Sequence, residues 1–314
     1  MAWKNTTVFA EFTFLGLSSN PRAQTTLFGI FLFAYVFTLL GNLLIIVVTL
    51  TDHSLQTAMY LFITNLSFID LCYSSSITPR MLKDILSSKK TISYVECVVQ
   101  MYISLSLGQS ECILLAIMAY DRYIAICYPL HYTTIMTRTV CIKIAAGNWI
   151  CGFLLSLSLV VLIWNMDFCG NNKINHFLCE VPELLSLACG NVSAVEFAIF
   201  VVSVLILMIP IVFIIMSYIQ IIRTILKMKT SEGQQKAFST CGSHMLVVAL
   251  FYGSATATYM KPRSHASSNV DKILAVIYTV IIPMLNPLIY SLRNKEVKRA
   301  VKRVYTNRIR MQIF

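Results

Sequence analysis

Seven stretches of this chain are long and apolar enough to leave it few folds. They run over about residues 25–50, 57–79, 95–120, 140–163, 195–222, 238–260 and 272–292. A helix that crosses a bilayer needs about 20 apolar residues. Soluble chains carry roughly 25% charged residues; this one carries 12%, with 57% hydrophobic. The expected fold is an all-α membrane protein, a seven-transmembrane helix bundle with a short amphipathic C-terminal helix on the inner membrane surface. Residues 1–24 are expected as an extracellular N-terminus, 25–292 as the transmembrane domain, and 293–314 as a cytoplasmic basic tail. The linkers are too short to hold a second domain.

The net charge of +11 does not imply a nucleic-acid partner. Much of it follows the last apolar run, where it suits anionic membrane lipids. With the N-terminus outside, Lys and Arg number 15 inside against 10 outside. Eight of the inner ones lie between Arg293 and Arg310; without them the count is 7 against 10. The positive-inside rule is thus satisfied by the tail alone. Asn5-Thr6-Thr7 is a glycosylation sequon on the expected outer side, and Asn191-Val192-Ser193 a second beside the membrane. No basic head and apolar core mark a cleavable leader. Val297, Ala300, Val301 and Val304 recur at helical spacing among basic residues, as in a helix lying on a membrane. No cysteine follows Cys241 to carry a palmitoyl anchor.

Cys97 and the group Cys169, Cys179 and Cys189 share one face, which points to two disulfides in an oxidising compartment. Four cysteines allow three pairings. The other six fall in or at the ends of spans as small packing residues.

Several runs carry polar residues that a plain anchor would not. The third ends Met118-Ala119-Tyr120-Asp121-Arg122-Tyr123-Ile124-Ala125-Ile126-Cys127. The sixth begins Lys236-Ala237-Phe238-Ser239-Thr240-Cys241-Gly242-Ser243-His244. The seventh holds Pro283-Met284-Leu285-Asn286-Pro287-Leu288-Ile289-Tyr290. Gly41-Asn42, Leu66-Ser67, Asp70-Leu71-Cys72, Pro79-Arg80-Met81-Leu82 and Ser217-Tyr218 complete the set. In this order and spacing the motifs closely resemble the olfactory receptors, a branch of the rhodopsin-like G-protein-coupled receptors, over almost the whole chain. One departure stands out: Leu55-Gln56-Thr57-Ala58-Met59-Tyr60 replaces the family's Leu-His-Thr-Pro-Met-Tyr. It removes a helix-starting proline and a titratable group from the inner face.

The resemblance implies a plasma-membrane receptor, not an enzyme, that binds a small-molecule odorant and activates a stimulatory olfactory-type G protein, raising cyclic AMP. A trafficking chaperone is a further implied partner. Neither cofactor nor metal is expected. The implied switch comprises Asp121, Arg122, Tyr123, Tyr218, His244, Asn286, Pro287 and Tyr290. Pairing of Arg122 with Asp121 holds a resting state, and release exposes the guanidinium fork to a partner. A headgroup-snorkelling arginine is the plainer reading of Arg122. Asp70 and Glu111, costly in mid-membrane unless solvated or paired, form an interior polar network with Asn42, Ser67 and Asn286. Asn286-Pro287 permits a bend. The implied disulfides are Cys97–Cys179 and Cys169–Cys189, which removes Cys179 from any metal cluster with His176 and Glu180.

The implied ligand pocket takes Ser104, Leu105, Gly108 and Gln109 from the third span, and Val202 and Ile206 from the fifth. The sixth gives Tyr252, Ala255 and Tyr259, and the seventh Val276 and Thr279. The set suits a small, mostly apolar, uncharged ligand. Amine receptors place an aspartate where Ser104 stands. A retinal-binding lysine is missing from the middle of the seventh span, and no hydrolytic or nucleotide-binding motif is found. Three rivals remain: a non-olfactory rhodopsin-like receptor for a lipid-like ligand, a seven-span transporter or channel working through Asp70 and Glu111, and a degenerate, non-signalling receptor with the altered Leu55–Tyr60 entry to span two.

Overall fold

The computed structural model describes residues 11–169, 172–228, 230–260, 269–292 and 296–304; within these, the side chains of 236, 239, 240, 291 and 292 are not described. Seven long helical stretches make up most of it: α1 (Pro21–Thr51), α2 (Ala58–Leu86), α3 (Tyr94–Cys127), α4 (Arg138–Trp164), α5 (Ser193–Leu226), α6 (Ser231–Tyr259) and α7. The last of these runs as Asn269–Val276, a π-helical turn Ile277–Ile281, and Ile282–Leu292. Residues 296–304 form an eighth helix, α8.

Local chemistry explains several boundaries. Asn20 accepts the Arg22 amide ahead of Pro21 at the head of α1, where a missing N–H costs nothing. Ser93 and Glu96 close a reciprocal capping box on α3, satisfying two amides that would lack partners. Thr137 caps α4. Thr57, at the altered motif, makes no side-chain cap for α2.

α1, α3, α4, α5 and α7 are long and apolar enough to cross a membrane by composition. Both α2 and α6 have 29 residues, but polar residues dilute them: Asn65, Asp70, Arg80, Lys83 and Asp84 in one, Ser243, His244, Ser254, Thr256 and Thr258 in the other. Large apolar side chains lie exposed along the outside, among them Phe33 and Leu40 of α1, Ile150 and Leu154 of α4, and Phe197 and Met216 of α5. Such a surface needs an apolar solvent.

The centre is α3, which packs against α2, α4, α5 and α6. At Gly152 of α4 the two helices come close enough that a β-carbon would clash with the Ser110 hydroxyl and sit 2.9 Å from the Ser106 carbonyl. At the Cys97 end of α3 a small sheet, ordered β2-β1-β3, covers the bundle. Here β1 is Glu11–Phe14, β2 Thr91–Ser93 and β3 Lys173–Ile174. β1 runs antiparallel to β2 with Phe12 opposite Ile92, and parallel to β3 with Phe14 opposite Ile174. Phe12 and Phe14 are fully buried beneath it.

A cavity, a polar core and a buried arginine along one helix

A cavity opens beside the first half of α3. Counting the open space at its mouth, it encloses about 620 Å³ not filled by atoms. Ser104, Leu105, Gly108 and Gln109 line it from α3, Val202 and Ile206 from α5, Ala255 and Tyr259 from α6. Most of the wall is apolar. The Ser104 hydroxyl and the Gln109 carbonyl oxygen are buried with no hydrogen-bond partner among the described residues.

Three residues expected there stand elsewhere. Tyr252 is buried, but its hydroxyl donates to the Cys112 carbonyl at 2.8 Å, and its neighbour Phe251 faces the cavity instead. Thr279 donates to the Ala275 carbonyl at 2.6 Å and Val276 packs in the core; Tyr278 lines the cavity in their place. A π-helical turn holds one residue more than an α-turn, and in α7 it turns Tyr278, rather than Val276 or Thr279, towards the cavity. The sequence also did not point to Tyr73 of α2, Leu159 of α4, Ser203 of α5 or Val181 of the α4–α5 connection, all in the wall. Both π turns, Val204–Met208 in α5 and Ile277–Ile281 in α7, end two residues before a proline, Pro210 and Pro283. A proline ring clashes with the carbonyl four residues back, and a wider turn relieves it; those prolines were the available signal.

Below the cavity lies the polar core. Asn286 donates to both Asp70 oxygens, at 3.1 and 2.9 Å. Asn42 does not reach Asp70. Its amide donates to the carbonyls of Thr38 and Pro283, each at 3.0 Å. Pro287 has no N–H, so the Pro283 carbonyl loses its helical partner, and Asn42 supplies one from α1. The helices are tight here: a β-carbon on Gly41 would lie 3.0 Å from the Pro287 ring. Glu111 is fully buried, and Asp70 and Asn286 both act on its carboxyl group.

At the far end of α3, Arg122 is buried. Its charge reaches Tyr218, His244 and Tyr290, which come from α5, α6 and α7. His244 Nε2 lies 3.1 Å from the Leu115 carbonyl and Nδ1 2.8 Å from the Tyr218 hydroxyl. A carbonyl only accepts, so Nε2 carries the proton and Nδ1 accepts from Tyr218. Asp121 accepts a hydrogen bond from Tyr132 at 2.8 Å, a partner the sequence did not suggest. Burial, and then the nearby Asp121 charge, push the Tyr132 hydroxyl well above its ordinary range. Tyr123 turns to Tyr128, their rings 5.6 Å apart.

α8 docks beside this end. Val297 and Ala300 are buried, while Lys298, Arg299, Lys302 and Arg303 are exposed. Arg303 bonds Asp52 and Ser54 after α1, each at 2.8 Å, and Glu296 accepts from Tyr60 at 2.9 Å. The Ser54 hydroxyl and the Arg303 charge hold Asp52 below the usual carboxylate range.

At the sheet end two disulfides join Cys97 to Cys179 and Cys169 to Cys189, with Cα atoms 5.5 and 5.6 Å apart. Cys179 is therefore not available to a metal. Burial, and then the Lys272 charge, hold His176 down to about 4. Asn191 is exposed, its side-chain oxygen accepting from the Ser193 amide. Asn5 lies outside the described residues.

Comparison with known proteins places this architecture. A family model described as olfactory receptor matches residues 31–308. Human olfactory receptor 2B2 is 48% identical over 306 residues, covering 97% of this chain and 85% of that protein. Mouse olfactory receptor 2B6 is 49% identical over 304 residues, 97% of each chain. Human olfactory receptor 10A7 is 46% identical over 309 residues, 98% of each.

Proposed function

The chain belongs to the olfactory receptor family, a multi-pass plasma-membrane receptor and not an enzyme, and from that premise we propose how it works. It is an odorant receptor whose seven helices all cross the bilayer, with the sheet end outside and α8 on the cytoplasmic surface. Small, mostly apolar volatile molecules bind between α3, α5 and α6, with Ser104, Gln109 and Tyr259 as polar contacts. An activated stimulatory olfactory-type G protein then raises cyclic AMP.

The carrying observation is that α3 bears an apolar cavity towards one end and the buried Arg122 at the other. Between them, α6 is held to α3 by the His244–Leu115 bond and to α5 by the His244–Tyr218 bond. A ligand acts by binding more tightly to one arrangement than to the other. One that favours an arrangement in which these bonds break and α6 leaves α3 uncovers Arg122 for the G protein. The Asp70–Asn286 pair ties α2 to α7 beside the Pro287 bend and sets the cost of the change. This network serves gating, not ion transport.

The test is cyclic AMP in cells expressing the receptor with the olfactory-type G protein against a broad odorant panel, beside an Arg122→Ala variant matched for surface level. The expected result is an odorant response that the variant loses. Normal signalling by a surface-displayed Arg122→Ala receptor would overturn the mechanism, and odorant-evoked current without G protein would favour a channel.

A further inference from the structure

Behind the cavity wall at the disulfide end lies a carboxylate that the receptor mechanism leaves unused. Glu180 follows Cys179 directly and is buried. Its Oε1 accepts a hydrogen bond from the Tyr278 hydroxyl at 2.6 Å. The acidic groups acting on it are Glu183, in the short helix Val181–Leu187, and Asp271 of α7. Among the described residues no cation pairs with it. Lys272, next to Asp271, turns to the Gly16 carbonyl at 2.8 Å instead. The Glu180 charge reaches three tyrosines, Tyr73 of α2, Tyr259 of α6 and Tyr278 of α7. All three line the cavity, as does Val181.

Burial holds the Glu180 carboxyl up at about 7. A buried carboxylate with acidic neighbours is costly to ionise, and a cation beside it recovers that cost. The faces of tyrosine rings attract cations as well.

We propose that this end of the cavity is a cation subsite and that the receptor takes small alkyl amines. The ammonium bonds Glu180 among Tyr73, Tyr259 and Tyr278, and the alkyl chain lies against Leu105, Val202 and Ile206. Glu180 stands one hydroxyl behind the cavity wall, so the ammonium reaches Oε1 by taking the place of the Tyr278 hydroxyl; both are donors. The inference rests on the receptor reading and narrows its ligand class. It also replaces the expectation of an uncharged ligand, because the carboxylate comes from the connection between α4 and α5 and not from the position of Ser104.

The experiment is thermal unfolding of the full-length receptor in lipid nanodiscs, titrated with 1-hexylamine or 1-hexanol at pH 8. The two probes share a chain and differ in the head group. Hexylamine is expected to bind about tenfold more tightly, the scale of one charge-assisted hydrogen bond. That advantage should persist in Glu180→Asp, vanish in Glu180→Gln, and shrink at pH 6, where Glu180 takes up its proton while hexylamine keeps its own. Hexanol binding as well as hexylamine, or an amine preference undiminished in Glu180→Gln, would overturn the proposal and leave the receptor reading intact. Binding of neither probe would also overturn it, and the Arg122→Ala cyclic AMP assay would then judge the receptor reading separately.

Discussion

Pro287 removes one hydrogen-bond donor from α7, and the consequence is felt on α1. The carbonyl of Pro283 is satisfied by Asn42, a residue 241 positions away in sequence. Replacing Asn42 with leucine keeps much of the bulk and leaves that carbonyl buried and unpaired. Such a loss costs about 1–3 kcal/mol. Asn42→Leu should therefore lower the unfolding temperature of the purified receptor, and Asn42→Gln should not restore it, because its longer side chain displaces the amide. An unchanged melting temperature in Asn42→Leu would mean that another group takes over the carbonyl. At this scale the sequence was partly legible. Asn42, Asp70 and Asn286 were recognised as one polar group, and Asn286 does bond Asp70. The turn of Asn42 towards a backbone atom was not foreseeable, because sequence pairs side chains and does not show which carbonyl a proline has left open. That Glu180 stands behind the cavity wall, bonded to Tyr278, was not legible for a related reason. A loop residue has no helical phase from which its facing direction can be read.

Helix phase decides how far the elements could be read. The seven runs were found, each short of the helix observed by a few to several residues, because the helices continue beyond their apolar cores. Eight of the eleven expected cavity residues line the cavity. Two of the three that do not, Val276 and Thr279, lie at or within the π-helical turn of α7, where an extra residue shifts the α-helical phase. Contacts between elements were less visible. Gly152 of α4 looks in sequence like any small residue, yet α3 approaches it so closely that a β-carbon has no room. Gly147, on the same helix, would place a β-carbon in open space. The pair makes a controlled prediction. Gly152→Ala should destabilise the receptor by about 1–3 kcal/mol through overpacking. Gly147→Ala should be neutral or stabilising by up to about 1 kcal/mol, since alanine is the better helix former. Thermal unfolding of the two variants side by side is the check, and equal behaviour would show that α3 and α4 can part at little cost.

At the scale of the whole molecule the two ends differ in kind. One end is tied by covalent bonds and a sheet: β1 joins the connections before α3 and before α5, Lys272 holds Gly16, one disulfide ties α3 to the connection before α5, and the other closes a loop within that connection. The other end is held by side-chain hydrogen bonds, at Asp121–Tyr132, Tyr218–His244 and Arg303–Asp52. That contrast suits a receptor whose ligand end stays shaped while its signalling end rearranges. It also bears on orientation, which charge counting left to the tail alone. Disulfides form in oxidising compartments, so the sheet end should face outward. A membrane-impermeant phosphine applied to intact cells should then reduce Cys169–Cys189, of which Cys169 is exposed and Cys189 half-buried, and make those two thiols reactive to an impermeant maleimide. Cys127, half-buried at the Arg122 end, should react only after the cells are permeabilised. The same labelling with Arg122→Ala separates position from signalling, because the variant changes the switch and not the topology. Labelling of Cys127 in intact cells, with Cys169 and Cys189 protected, would invert the orientation. It would place the cavity mouth on the cytoplasmic side, where an odorant arriving from outside would first have to cross the membrane.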